Sequence, residues 1–243
     1  MQMIMGFMYI AFGKNAAKAA GNSLASIRRT GNDFPATSVG DTPVEGTTFI
    51  PWLGHRPWTD DETDLDQRFR AGYVKPHIYN LSPYVYTLYL DADTVIKRDI
   101  TPGFWALRDN DICVVHYDAL RTFTMSALKK HMDRSVFNIP YYENIRKELD
   151  YTIGVIGKDT SIVNSGVIFF RKSIETSSFF NQWFLEWLHF RGWEEQLAFL
   201  RAEHKTKNLK VKKLPLEWNH KKIASNTIIW HKMGGGSARD PKC

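Results

Sequence analysis

Two kinds of hydrophobic pattern alternate along the chain: short unbroken apolar runs and stripes at helical spacing. Residues 3–12 (MIMGFMYIAF) are apolar throughout and predict a strand buried on both faces. After Gly13, residues Ala16, Ala19, Ala20, Leu24 and Ile27 fall near helical spacing. They predict a helix over about 15–29, which Gly31 can end. A β-turn-α start of this kind places a nucleotide at the C-terminal end of its strand. Residues 35–62 are rich in Pro, Gly, Thr and Asp and predict short strands and loops. A short helix is expected over 74–81, stopping at Ser82-Pro83 because proline disfavours helix at the residue before it. Residues 85–90 (VYTLYL) form the clearest strand, and it runs directly into Asp91-Ala92-Asp93.

The second half continues the alternation. A turn and short helix are expected over 99–111 and a strand over 112–116, then a polar, basic, helical region over 118–150 without strong periodicity. A strand containing GVIFF lies within 162–170, preceded by Asn164-Ser165. Residues 177–190 are a strongly amphipathic helix, with Phe179, Phe180, Trp183, Phe184, Trp187 and Leu188 on one face. That aromatic stripe predicts core packing rather than a sugar platform. A further helix is expected over 194–204, a lysine-rich stretch over 205–213 and a last short strand over 228–231. With no internal repeat and no low-complexity linker, one compact unit is expected.

Composition adds bounds. The chain has 243 residues, enough for one α/β domain, or one domain with a small subdomain, with a real core, and its 43% hydrophobic and 24% charged residues are ordinary globular usage. A formal net charge of +6 favours anionic partners, whether nucleoside diphosphates, nucleic acid or an anionic lipid surface. Two cysteines, Cys113 and Cys243, cannot build a disulfide framework or a metal cage. Cys113, set in Ile112-Cys113-Val114-Val115, is expected to be a buried strand residue, and the chain is expected to be reduced and cytoplasmic. No stretch approaches the roughly 18 apolar residues of a membrane span. The apolar N-terminus lacks the charged region and small-residue cleavage site of a signal peptide.

The chemistry centres on Asp91-Ala92-Asp93. Carboxylates at i and i+2 of an extended segment point the same way, and at the end of a buried strand they can share one divalent cation. Hard oxygen ligands suit Mg²⁺ or Mn²⁺, which also bridges a diphosphate and offsets charge on a leaving nucleoside diphosphate. The first β-turn-α offers Ala11, Phe12 and Gly13 to a base and ribose. Lys75 is a candidate for nucleotide or phosphate contact, with a surface lysine as its alternative reading.

Residues 82–94 (SPYVYTLYLDADT) resemble the D-x-D region of GT-A glycosyltransferases, most closely family 8 and related nucleotide-diphospho-sugar transferases. Three later pieces agree in order. Asn164-Ser165-Gly166-Val167 resembles the N-[SA]-G strand start that lines the sugar pocket. Glu195-Gln196 resembles a D-Q pair that contacts the transferred sugar. His231-Lys232-Met233-Gly234 resembles an H-x-x-G segment whose histidine is a metal ligand. The resemblance covers nearly the whole chain. It implies a single α/β domain of GT-A (Rossmann-like) fold with a mixed sheet flanked by helices. Residues 1–98 would bind the nucleotide, and 99–243 would carry the acceptor site and the C-terminal metal and phosphate contacts.

Asp91, Asp93 and His231 would hold Mn²⁺ or Mg²⁺, with a nucleotide-sugar donor, UDP-linked by the family's commonest usage. Ala92, Lys232 and Gly234 would border the phosphates, and Gly234-Gly235-Gly236 would let the backbone approach them. Asn164, Glu195 and Gln196 would act at the sugar. The resemblance implies retention of anomeric configuration, with Gln196 supporting developing positive charge. An inverting reaction would instead need a carboxylate base, for which Glu194 or Glu195 is the candidate. The chain departs from the family where Glu195 replaces an aspartate and where Ser237 stands in place of a lysine, so that Lys232 or Arg239 would supply the phosphate charge.

The same aspartates also fit the D-x-D-x-[TV]-[VL] signature of haloacid-dehalogenase-like phosphatases, with Asp91 as nucleophile and Asp93 as acid/base. That signature normally sits on a domain's first strand, whereas 90 residues precede Asp91. A nucleic-acid binder is suggested by Lys205, Lys207, Lys210, Lys212, Lys213, Lys221 and Lys222, although no such motif is present. An anionic acceptor, nucleic acid included, therefore stands beside glycan, protein and lipid-linked acceptors. The region 118–150 interrupts the nucleotide-binding core and is expected to carry acceptor contacts.

Overall fold

A computed structural model describes residues 5–52, 71–117, 124–134, 140–190 and 195–232. The chain opens with β1 (Met5–Ala11), α1 (Gly13–Arg28), β2 (Ala36–Gly40) and β3 (Thr48–Pro51). Residues 71–74 are helical and lead through a 3₁₀ turn (Lys75–His77) into α2 (Ile78–Leu81). Next come β4 (Tyr86–Leu90), β5 (Thr94–Ile96), α3 (Thr101–Ala106), β6 (Ile112–His116), α4 (Met125–Arg134) and α5 (Pro140–Ile156). The chain continues with β7 (Val163–Arg171), α6 (Ile174–His189), α7 (Glu195–Lys205), β8 (Val211–Leu214), a 3₁₀ turn (Leu216–Trp218) and β9 (Ile229–His231). Among the described residues the expected strands and helices are present within a few residues, except that the helical region expected over 118–150 is two helices, α4 and α5, the second running on to Ile156; residues 53–62, 118–123, 135–139 and 194 of the expected elements lie outside the described residues. Lysine 75 falls in the 3₁₀ turn, where Pro76 interrupts the α-helical bonding. As Pro83 requires, the helix stops at Ser82, which is extended.

Among the described residues seven strands form one mixed sheet in the order β3-β2-β1-β4-β7-β6-β8. Strands β1 to β4 are mutually parallel, β7 runs against its neighbours β4 and β6, and β8 is parallel to β6. Alternation along each strand splits the core into two layers. Met8, Ile10, Tyr89, Val114, Ile168 and Phe170 face α6 and α7. Phe7, Tyr9, Leu88, Leu90, Cys113 and Phe169 face α1 and α3. The stripe on α6 is core as expected, with Phe179, Phe180, Trp183 and Trp187 all buried. Cys113 is buried in β6, and burial pushes its thiol up to about 12.

Two strands escape the sequence pattern. β8 (VKKL) is a sheet edge whose exposed Lys212 and Lys213 guard its unpaired side, so part of the lysine-rich stretch has a structural use. β5 has three residues and pairs antiparallel with β9, Thr94 opposite His231. This ribbon is what brings the C-terminal histidine beside Asp91 and Asp93. Among the described residues no helix is long and apolar enough to cross a membrane.

Candidate active site

Because β7 is antiparallel to β4, its first residues lie at the C-terminal end of β4. Leu90 pairs with Val167, and the Asp91 N–H donates to the Gly166 carbonyl at 2.8 Å. Between β6 and β7 the register jumps, from Val114 opposite Ile168 to Val115 opposite Asn164. Ser165, Gly166 and Val167 are thereby left out of the β6 ladder, and such a bulge re-aims side chains at a sheet edge.

The Asp91 Oδ1 atom is held on two sides. Tyr89 Oη donates to it at 2.6 Å, and Lys75 Nζ lies 3.1 Å away. Lys75 is buried, not a surface lysine, and it also meets Glu195 Oε1 at 2.9 Å. Ser165 Oγ donates to Glu195, 2.8 Å from Oε1 and 2.7 Å from Oε2. Burial opposes the Lys75 charge, but Asp91 and Glu195 outweigh it and hold the ammonium well above the usual lysine value. Burial and then the Asp91 carboxylate push the Tyr89 phenol well up, so it stays a donor. Burial likewise works against the charge on Asp91, yet Lys75 and His231 outweigh it and hold the carboxyl below its ordinary value.

The other oxygen faces a different group. His231 Nε2 lies 3.7 Å from Asp91 Oδ2 and 3.0 Å from Asp93 Oδ1. One ligand atom from each of these three residues falls within 4.8 Å of the others. Two carboxylates and one imidazole suit Mn²⁺ or Mg²⁺ with positions left for other oxygens. The floor of the cluster is Gly166. A Cβ there would stand 2.3 Å from His231 Cε1 and 2.7 Å from Asp91 Oδ2, so no other residue lets these groups converge. Charge agrees: among the described residues three carboxylates (Asp91, Asp93, Glu195) face one lysine, an excess of negative charge that suits a dication.

The remaining candidates fall around this centre. Ala92 lies in the turn between the two aspartates. Asn164 accepts from the Gly166 N–H at 3.1 Å and donates to Tyr117 Oη at 2.6 Å, so its side chain braces the bulge. Glu195 and Gln196 start α7, and Trp183 Nε1 donates to the Glu195 carbonyl at 2.9 Å. Lys232 follows β9; its N–H donates to the Asp93 carbonyl at 3.1 Å and its ammonium sits over the Trp230 ring. Ala11, Phe12 and Gly13 form the β1–α1 turn, where Gly13 has φ +79. The Phe12 side chain belongs to the core, which leaves only its backbone to a ligand. The Gly13 N–H donates to Asp41 Oδ1 at 2.7 Å, so a carboxylate already meets the start of α1. Gly234, with Met233, Gly235, Gly236, Ser237 and Arg239, lies outside the described residues, as does Glu194.

Sequence reasoning missed Tyr89, Ser165 and Asn219 as site residues. Ser165 stood inside the Asn164-Ser165-Gly166 segment, and Tyr89 two residues before Asp91 on the same strand face; both positions were available signals. Asn219, which contacts His231, has no local signal at all.

A sequence profile described as nucleotide-diphospho-sugar transferase matches residues 85–223. No curated protein matches the chain by sequence. Among solved structures, the WbbM bifunctional glycosyltransferase in its apo form superposes with a TM-score of 0.61 at 15% identity, over 97% of this chain and 47% of that one. The chain thus spans about half the length of that protein. The galactosyltransferase LgtC, in complex with donor and acceptor sugar analogues, superposes with 0.58 at 13% identity, over 95% of this chain and 87% of that one. Mouse xyloside xylosyltransferase 1, apo form, gives 0.54 at 12% identity, over 93% and 97%. At such identities these likenesses speak to fold.

Proposed function

The chain belongs to the nucleotide-diphospho-sugar transferase family and is a glycosyltransferase of GT-A fold; from that premise we propose that it moves a sugar from a UDP-sugar to an acceptor hydroxyl, with retention, around a divalent cation held by Asp91, Asp93 and His231. The observation that carries this is the convergence of Asp91 Oδ2, Asp93 Oδ1 and His231 Nε2 over a glycine floor. When bound, the cation supplies positive charge to the diphosphate leaving group.

The chain's own residues divide the remaining work. The backbone of Ala11, Phe12 and Gly13 receives base and ribose, and Ala92, Lys232 and Gly234 border the phosphates. This assigns residues 1–98 mainly to the nucleotide, together with the metal ligands Asp91 and Asp93, and 99–243 to the acceptor and the C-terminal metal and phosphate contacts. Lys75 and Tyr89 hold Asp91 ionised and oriented. Asn164, Glu195 and Gln196 line the sugar side. The acceptor oxygen bonds to the anomeric carbon as the bond to the diphosphate oxygen breaks, and that departing oxygen takes the acceptor's proton on the same face. Retention is supported by the state of Glu195, one of the two candidate bases for inversion: it is already committed to Lys75 and Ser165, which suits it poorly to deprotonating an acceptor. The family leaves the haloacid-dehalogenase reading of Asp91 without support. The acceptor is a glycan, protein, lipid-linked or nucleic-acid hydroxyl; salt-sensitive acceptor binding would single out a polyanion.

The test is a thermal-shift and calorimetric screen of UDP, GDP and their sugars with and without Mn²⁺. Ligand binding to the native state raises the midpoint by mass action. A UDP response that needs Mn²⁺ and vanishes in Asp93→Asn is expected. A UDP response that is equal without metal, or equal in Asp93→Asn, would overturn the metal assignment.

A further inference from the structure

His231 is reached on its Nδ1 side by Asn219. Asn219 is fully buried and follows the 3₁₀ turn Leu216–Trp218, whose Trp218 ring packs edge-on against Phe169. The next residue pairs with β9: the His231 N–H donates to the His220 carbonyl at 2.9 Å, and the His220 N–H donates to the Ile229 carbonyl at 3.0 Å. Backbone bonds therefore fix Asn219 beside the His231 ring.

Asn219 Nδ2 lies 3.2 Å from the Asn164 carbonyl oxygen, and Asn219 Oδ1 lies 2.9 Å from His231 Nδ1. The first contact decides the second. A carbonyl only accepts, so the end of the carboxamide facing Asn164 must be its NH₂, and its oxygen must face the imidazole. An amide oxygen also only accepts, so the hydrogen between the two residues sits on His231 Nδ1. That leaves Nε2 as the ring nitrogen with a lone pair to give, and Nε2 is the atom facing Asp93 and Asp91. Outer partners of this kind set the tautomer and ring plane of ligating histidines.

We propose that Asn219 is a positioning residue of the cation site: it holds His231 with Nδ1 as donor and Nε2 as ligand, and through Asn164 it ties that ring to the β7 bulge. The inference rests on the cation reading of Asp91, Asp93 and His231.

The experiment titrates Mn²⁺ alone into wild type, His231→Ala, Asn219→Leu and Asn219→Asp by calorimetry. Leu keeps the volume and removes both bonds; Asp keeps an acceptor for Nδ1–H. The expected result is a loss of about 10–100-fold in Mn²⁺ affinity for Asn219→Leu, with Asn219→Asp close to wild type. Unchanged affinity in Asn219→Leu beside a loss in His231→Ala would overturn the role of Asn219 alone. Unchanged affinity in His231→Ala would overturn the cation reading beneath it. Nitrogen-15 NMR of His231 in the Zn²⁺-loaded wild type decides the matter without substitution. A protonated Nδ1 with a ligating Nε2 is expected, and a ligating Nδ1 would overturn the proposal even if the Asn219 variants fail to fold.

Discussion

The two oxygens of Asp91 face two differently built halves of one site. On the Oδ1 side every neighbour is matched: Tyr89 donates, Lys75 pairs, and Lys75 and Ser165 in turn satisfy Glu195. On the Oδ2 side the neighbours are Asp93 and His231, and two carboxylates facing one imidazole leave negative charge in excess. Among the described residues the first half is a matched ion-pair network. The second half is incomplete in the way a cation completes. The comparison teaches that the same aspartate is both scaffold and ligand, and that the two roles can be separated by substitution.

The largest expected effect comes from striking the residue common to both halves. Asp91→Asn should lower metal-dependent turnover by at least about 100-fold. It should also cost stability, because Lys75 loses one of its two carboxylates. Asp93→Asn should match it in turnover while leaving the urea-unfolding midpoint near wild type. Equal stability losses in the two variants would break the comparison.

Gly166→Ala tests the second half from below. Its Cβ would displace the His231 ring and Asp91 Oδ2, so Mn²⁺ affinity should fall steeply while the Lys75–Glu195 pair keeps the fold. Wild-type affinity in this variant would mean that the three ligand atoms do not need the close approach.

Lys75→Met tests the first half. It leaves two carboxylates without their cation, and a broken buried pair costs about 3–5 kcal/mol at most. Part of that is recovered because Asp91 is partly open to water. Thermal unfolding should move down by several degrees, and Mn²⁺ should still bind.

The smallest effect is a pH dependence. The Asp91 carboxyl is held below its ordinary value of 3.8 in the fold. A depressed carboxyl contributes stability that is fully present above its unfolded value and is lost as pH falls through the folded one. Wild type and Asp91→Asn should therefore differ in urea stability at neutral pH and converge as the pH drops below 3.8. A gap that persists under strong acid would remove the charge from the explanation.

Much of this was legible in the sequence because it is local. The run VYTLYL before Asp91-Ala92-Asp93 is a strand by composition alone, and the α6 stripe is core by its spacing. Buried Lys75 was visible as a candidate, but not its partners, because the Glu195 it pairs with is far along the chain and meets it only once α7 packs on β7. β5 was too short to announce itself, yet its pairing with β9 delivers His231. Asn219 is legible only in three dimensions, since its function depends on which end of its amide meets Asn164. In β8, a strand pattern was hidden by the lysines that protect an edge, and composition alone suggested a nucleic-acid surface there.

The most direct test of the account is Mn²⁺ binding to the free protein, followed by electron paramagnetic resonance as the signal of unbound ion disappears. One bound ion per chain is expected, lost in Asp93→Asn and His231→Ala and kept in Lys75→Met. Binding that survives both Asp93→Asn and His231→Ala would contradict it, for the cation would then sit somewhere other than between those residues.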